Sequence, residues 1–218
     1  MNNRLVVCGT DTDVGKTVVS ALLVQGLGAH YWKPVQCGLD NGEGDRDRVQ
    51  RWLNLPPERL LPEAYRLAAP VSPHWASEQE GIEPISEEQL QLPHHQGPLV
   101  VETAGGVLVP MRLDLLQITL LAQWQLPVLL VARSGLGTLN HTLLSLEALR
   151  SRQIPVLGVL LNGPAHANNQ ATLAQLAEVP VLGCLAPLDR IDRSNLADQW
   201  QSLELSHKLR SISPSPPA

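Results

Sequence analysis

Short apolar runs with few charges recur along the chain at residues 5–8, 31–35, 99–102, 127–132, 156–161 and 181–185. Runs of this length without polar alternation read as strands buried on both faces. Between them lie longer stretches of helical character at 16–27, 45–53, 113–124, 139–150, 169–177 and 195–203. The alternation of strand and helix predicts an α/β domain with a mainly parallel sheet and helices on both faces. In such a sheet ligands bind beyond the carboxyl ends of the strands, so the residues that follow each apolar run carry the chemical interest.

Two stretches break the rhythm. Residues 56–84 hold six prolines and little periodicity, which predicts a long excursion lying over the active edge of the sheet. Residues 211–218 end in Ser-Pro-Ser-Pro-Pro-Ala, a composition that cannot bury an apolar face and reads as a disordered tail. Residues 1–210 therefore read as one domain. No internal repeat is visible.

Composition narrows the function. With 218 residues and 44% apolar positions the chain can bury one sizeable core. A net charge of −5 and no Lys/Arg-rich block argue against a nucleic-acid surface, which needs a basic stripe to displace counterions. Cys8, Cys37 and Cys184 are an odd number without CxxC spacing, so reduced thiols are expected rather than a disulfide framework or a zinc site. The chain enters its first strand within four residues and shows no signal-peptide pattern or membrane-length apolar run. A cytoplasmic protein with no membrane partner is the expectation.

The sharpest chemical signal is Gly9-Thr-Asp-Thr-Asp-Val-Gly-Lys-Thr17, between the first strand and the first helix. A glycine-containing loop there presents backbone N–H groups and a helix N-terminus to phosphates, a lysine to their outer oxygens, and a threonine hydroxyl to magnesium. Five residues separate the glycines, one more than the usual pattern. Magnesium also takes one or two carboxylates. Glu102, ending a strand and followed by Ala-Gly-Gly, is the first candidate; Asp45 and Asp47 follow the second strand, Asp45 also reading as a helix cap. Lys33, at the end of that strand, reads either as a snorkelling surface residue or as a charge that stabilises phosphoryl transfer. His94 and His95 lie in a loop without a third ligand at metal spacing.

Together these motifs closely resemble the dethiobiotin synthetase family, within the P-loop NTPase superfamily. The resemblance rests on residues 9–17, Lys-Pro-Val-Gln-Cys-Gly at 33–38, Ser-Pro-His at 72–74, Val-Glu-Thr-Ala-Gly-Gly at 101–106, Gly-Thr-Leu-Asn-His at 137–141 and Leu-Asn-Gly at 161–163. It extends to about Leu188, and the longer glycine spacing is typical of the family. It implies a three-layer P-loop fold and an ATP- and Mg²⁺-dependent ligase of biotin biosynthesis. Carbon dioxide adds to one amine of 7,8-diaminononanoate, the carbamate is phosphorylated by ATP, and the second amine closes the ureido ring.

Carried over residue by residue, the resemblance makes Lys16 and Lys33 catalytic. Asp13, Val14, Gly15, Lys16, Thr17 and Val18 would wrap the phosphates, with Thr103, Ala104 and Gly105 beside them. Thr17, Asp47 and Glu102 would hold magnesium. Asn162 and Gly163, with Ala186, Pro187 and Leu188, would receive the adenine. Thr12 and Cys37 would meet the diamine, Cys37 standing where relatives often carry serine. Leu139 and Asn140 of the partner subunit in a homodimer would bind the substrate carboxylate.

A partition-type nucleotide switch shares the expected fold but would carry a second lysine where Asp11 stands. A glutamine-dependent amidoligase would need a fused amidotransferase domain, for which the chain has no room.

Overall fold

The computed structural model describes residues 4–212. A six-stranded sheet forms the centre, built from β1 (Arg4–Gly9), β2 (His30–Trp32), β5 (Leu99–Gly106), β8 (Val128–Arg133), β9 (Val156–Asn162) and β10 (Val181–Leu185). Its order is β10-β9-β8-β1-β5-β2, and every pairing is parallel. The strand residues are apolar on both sides because both sides are covered. Val6, Cys8, Leu99, Val101, Val128, Leu130 and Leu161 enter one core, whereas Leu5, Val7, Val100, Leu129, Val131 and Leu160 enter the other. Each large side chain so buried contributes about 1.5–3 kcal/mol.

Helices α1 (Lys16–Leu27), α2 (Asp45–Leu53), α7 (Arg193–Ser202) and α8 (Leu205–Ser211) cover the face of the second core. Helices α3 (Pro73–Gln79), α4 (Gln117–Trp124), α5 (Thr138–Arg150) and α6 (Ala167–Leu176) cover the other. This is the three-layer arrangement expected. Helix α1 is apolar nearly all round because it lies between the sheet and α7; a Cβ at Gly26 would stand 2.3 Å from the Trp200 ring. It ends at Gly28, whose φ of 62° permits the left-handed cap that a side chain would strain.

Three expectations change. The run at 31–35 is not one strand: Pro34 has no N–H to donate, so β2 stops at Trp32. The chain resumes as β3 (Val35–Cys37), which pairs in parallel with β4 (Tyr65–Leu67) in a separate ribbon. The helix expected over 113–124 begins only at Gln117, since residues 110–116 form a small antiparallel pair, β6 (Pro110–Arg112) with β7 (Leu115–Leu116). The proline-rich excursion, expected as a long segment over the active edge, carries short elements of its own, β4 and α3. Of the expected tail, Ser211 ends α8, and residues 213–218 fall outside the described residues.

Candidate active site

The carboxyl ends of β1, β3 and β5 converge on a cleft of about 860 Å³. Its floor is the turn from β1 into α1. Gly15 caps α1 with φ 94°, and any Cβ there would meet the Asn162 amide at 2.1 Å, so only glycine serves. The first N–H groups of α1 lack intrahelical partners, and Gly15, Lys16, Thr17 and Val18 all border the cleft. Lys16 arches back over the loop, donating from Nζ to the Asp11 carbonyl at 2.8 Å. Burial, then the nearby charge of Lys33, pulls its pKa below the usual lysine value.

One wall is a buried polar cluster. Glu102, fully enclosed on β5, accepts the Thr17 hydroxyl at 2.8 Å, the Tyr31 hydroxyl at 2.9 Å and Lys33 Nζ at 3.0 Å. The same Lys33 Nζ lies 2.5 Å from Asp45 Oδ2. Burial works against the Lys33 charge, but Glu102 and Asp45 outweigh it and hold the pKa above the ordinary range. Asp45 moves the opposite way: burial raises its pKa, yet the Lys33 charge and hydrogen bond, with Arg48 and Thr17, bring it below the usual carboxylate value. Tyr31 stays a neutral donor, its pKa driven well up by burial and by Glu102.

Of Asp45 and Asp47, only Asp45 borders the cleft. Asp47 accepts the Gly44 N–H at 2.8 Å as a helix cap and pairs with Arg66 at 2.6 Å, and it does not border the cleft. Side chains two residues apart on a helix point about 200° apart, so one of the pair faces the cleft and the other faces away. Gln36 sets which one: its Oε1 accepts the Asp45 N–H at 2.9 Å while its Nε2 donates to Gly38 O at 2.8 Å. Gln36 lies within the 33–38 motif but carries no role read from the sequence, and Tyr31 is unmarked because a strand Tyr carries no spacing signal.

Of the other expected residues, Thr12, Asp13, Ala104, Gly105 and Cys37 border the cleft. Thr103 does not; its hydroxyl donates to Val7 O at 3.3 Å, between β5 and β1. Buried Gln117 holds the carboxyl end of β5, accepting the Ala104 N–H at 3.1 Å and donating to Gly106 O at 2.7 Å. Val14 is buried and offers its carbonyl to Asn162 Nδ2 at 3.1 Å. Asn162 pairs with Leu185 across β9 and β10, and Gly163 N–H reaches Leu185 O at 2.9 Å, so Asn162 and Gly163 stand at the sheet edge beside Ala186, Pro187 and Leu188. Residues 70–73 of the proline-rich excursion close the far wall. Leu139 and Asn140 lie outside the cleft of their own chain, in the first turn of α5.

A family model described as an AAA domain matches residues 3–195. An ATP-dependent dethiobiotin synthetase of Brucella ovis is 50% identical over 196 residues, 90% of this chain and 92% of that protein. One from Rhodopseudomonas palustris is 51% identical over 196 residues, 90% of this chain and 91% of that protein. The chain belongs to the dethiobiotin synthetase family. Among solved structures, a ParA family ATPase from Chlorobium tepidum superposes with a TM-score of 0.54 at 12% identity, covering 99% of this chain and 94% of that one. At that identity the likeness speaks for the P-loop fold alone. The dethiobiotin synthetase assignment also separates the chain from partition-type switches, and Asp11 is engaged in an ion pair with Arg133 at 2.8 Å.

Proposed function

We propose that the chain closes the ureido ring of dethiobiotin from 7,8-diaminononanoate and carbon dioxide, using ATP, in biotin biosynthesis. The observation that carries the reading is the convergence of Lys16, Thr17, Lys33, Asp45 and Glu102 on one cleft beside a glycine-capped helix start.

The residues fit magnesium. Thr17 Oγ1, Glu102 Oε1 and Asp45 Oδ2 are hard oxygen donors gathered around Lys33. Among the described residues no three His, Cys, Asp or Glu side chains cluster as a metal site, and two carboxylates with a hydroxyl match an ion that keeps several waters. Bound there, magnesium would neutralise phosphate charge. We therefore assign the ligand role to Asp45 in place of Asp47.

The chain's own groups supply the rest. Lys33, cationic throughout the working pH range, offsets the negative charge of the carbamate, and Lys16 that of the transferring phosphoryl group. Cys37 and Thr12 bound the space for the diamine, and residues 70–73 screen it from water. Asn162, with residues 186–188, receives the base.

The carboxylate end of the substrate goes to a second copy of the chain. Thr138 N–H is bonded to Gly135 O and His141 N–H to Gly137 O, leaving the Leu139 and Asn140 N–H groups free among the described residues. That helix start suits a carboxylate. Leu136 is 99% and Leu144 57% exposed on either side of it, apolar surface that a homodimer would cover. The acidic charge balance and unpaired thiols agree with a cytoplasmic enzyme of small molecules.

The test is ADP release measured with and without diamine and bicarbonate. ADP should form only when both are present, in equal amount to dethiobiotin. ATP hydrolysis at the same rate without the diamine would overturn the reading.

A further inference from the structure

A second group of unpaired polar side chains lies at the opposite, amino-terminal edge of the sheet. Arg4 opens β1 and His30 opens β2, and both register with Leu99 at the start of β5 between them. The segment entering β5 folds beneath these strand starts, and a cleft of about 330 Å³ is lined by Arg4, Leu92, Pro93, His94, His95 and Gln96. The rings of His30 and His95 touch, with centroids 3.9 Å apart and planes tilted by 48°.

The nitrogens here are unsatisfied. Arg4 Nε and Nη2, His30 Nδ1 and His95 Nε2 are shielded from solvent and have no hydrogen-bond partner among the described residues. A buried donor without a partner is costly, and buried polar groups are nearly always satisfied. Arg4 and His95 line the cleft and His30 stacks on His95, so these unmet donors beside it point to an occupant that accepts hydrogen bonds.

Charge selects its kind. Arg4 and Arg59 are permanent cations; His30, His94 and His95 are the titratable groups, and Glu58 is the acid facing His30. Partial burial, then His95 and Arg59, lowers the His30 pKa, with Glu58 opposing. A field made by two guanidinium groups and one carboxylate repels a divalent cation and attracts an anion. A guanidinium fork with imidazole N–H donors suits tetrahedral oxygens.

We propose that this basal cleft is a binding site for a free tetrahedral oxyanion, such as inorganic phosphate or sulfate, held by Arg4 and His95 with His94 at its mouth. The site is separate from the catalytic edge and does not depend on the reaction assigned there. Occupancy ties the starts of β1 and β2 to the segment entering β5.

The test reads the imidazoles directly. The full chain carries seven histidines, and their ring nitrogens are followed by NMR during a sulfate titration at constant ionic strength, with His30 and His95 assigned from His→Gln variants. Sulfate is the probe because its charge does not change near neutral pH; chloride is the control. The His30 and His95 signals should shift saturably with a Kd of about 1 mM, the strength of a few charge-assisted hydrogen bonds. Arg4→Gln should weaken binding about tenfold or more while turnover at the catalytic edge is unchanged, and Arg4→Lys, which keeps the charge without the fork, should fall between. Should Arg4→Gln fail to fold, Arg4→Lys carries the comparison. Imidazole signals that do not respond to sulfate, that respond equally to chloride, or that respond identically in the Arg4 variants would overturn the proposal.

Discussion

Lys33 sits between two carboxylates with its side chain 5% exposed, which fixes the charge balance of the cleft. Without it, Glu102 and Asp45 would face each other uncompensated, and stranding one side of a buried ion pair costs about 3–5 kcal/mol. Lys33→Met should therefore unfold at lower urea, by about that amount, and magnesium should restore part of the loss by taking over the charge compensation. The Lys16 ammonium hydrogen-bonds only a backbone carbonyl among the described residues, so Lys16→Ala should keep its unfolding free energy within about 1 kcal/mol while losing nearly all turnover. Cys37 gives a pH prediction. Burial raises its pKa to about 12; Lys33 opposes this and Glu80 adds to it. Since only the thiolate reacts, alkylation at pH 8 should run about a thousandfold slower than for a free cysteine. It should accelerate tenfold per pH unit up to about pH 12. Mass-spectrometric peptide mapping reads this, with added diamine and nucleotide slowing labelling further. Ready labelling of Cys37 at pH 7 would contradict its placement.

The elements show what the sequence could and could not reveal. Five of the six sheet strands were visible as charge-poor apolar runs, because burial on both faces removes alternation. The sixth, 31–35, merged two strands that Pro34 separates, since both halves are apolar and only the missing N–H divides them. Residues 113–116 read as helix although Leu113 is 87% exposed; short apolar runs do not distinguish strand from helix without their partners. The phosphate loop was legible because its residues are contiguous. Which of Asp45 and Asp47 borders the cleft was not, because it depends on the rotation of α2, fixed by Gln36 from another element. The same local logic makes Gly15→Ala informative. A left-handed φ costs about 1–3 kcal/mol for a residue with a side chain, and the added methyl meets Asn162. The variant should raise the KM for ATP about tenfold or more while circular dichroism stays native. An unchanged KM would mean that the loop has room the geometry denies.

At the scale of the whole molecule, the sheet separates two cores and gathers its chemistry at one edge, yet the helix start of α5 stands outside the cleft of its own chain. If that start serves a partner's site, two inactive dimers should rescue each other. Lys16→Ala and a variant disrupting the α5 start, unfolded and refolded together, give half mixed dimers with one intact site each, hence roughly a quarter of wild-type activity. Verified mixed dimers with no activity would assign the helix start to its own subunit.

The central claim, that the Lys33–Asp45–Glu102 cleft closes the cyclic urea, is tested most directly by following ¹³C-bicarbonate into product. Mass spectrometry should show one labelled carbon in the dethiobiotin formed by the wild-type chain with diamine, ATP and magnesium. Asp45→Asn should lower that rate about a hundredfold or more and demand more magnesium, whereas Asp47→Asn, a capping loss of about 1 kcal/mol, should stay within about threefold of wild type. Absence of the labelled ring, or an Asp47 variant that fails while the Asp45 variant turns over normally, would contradict the account.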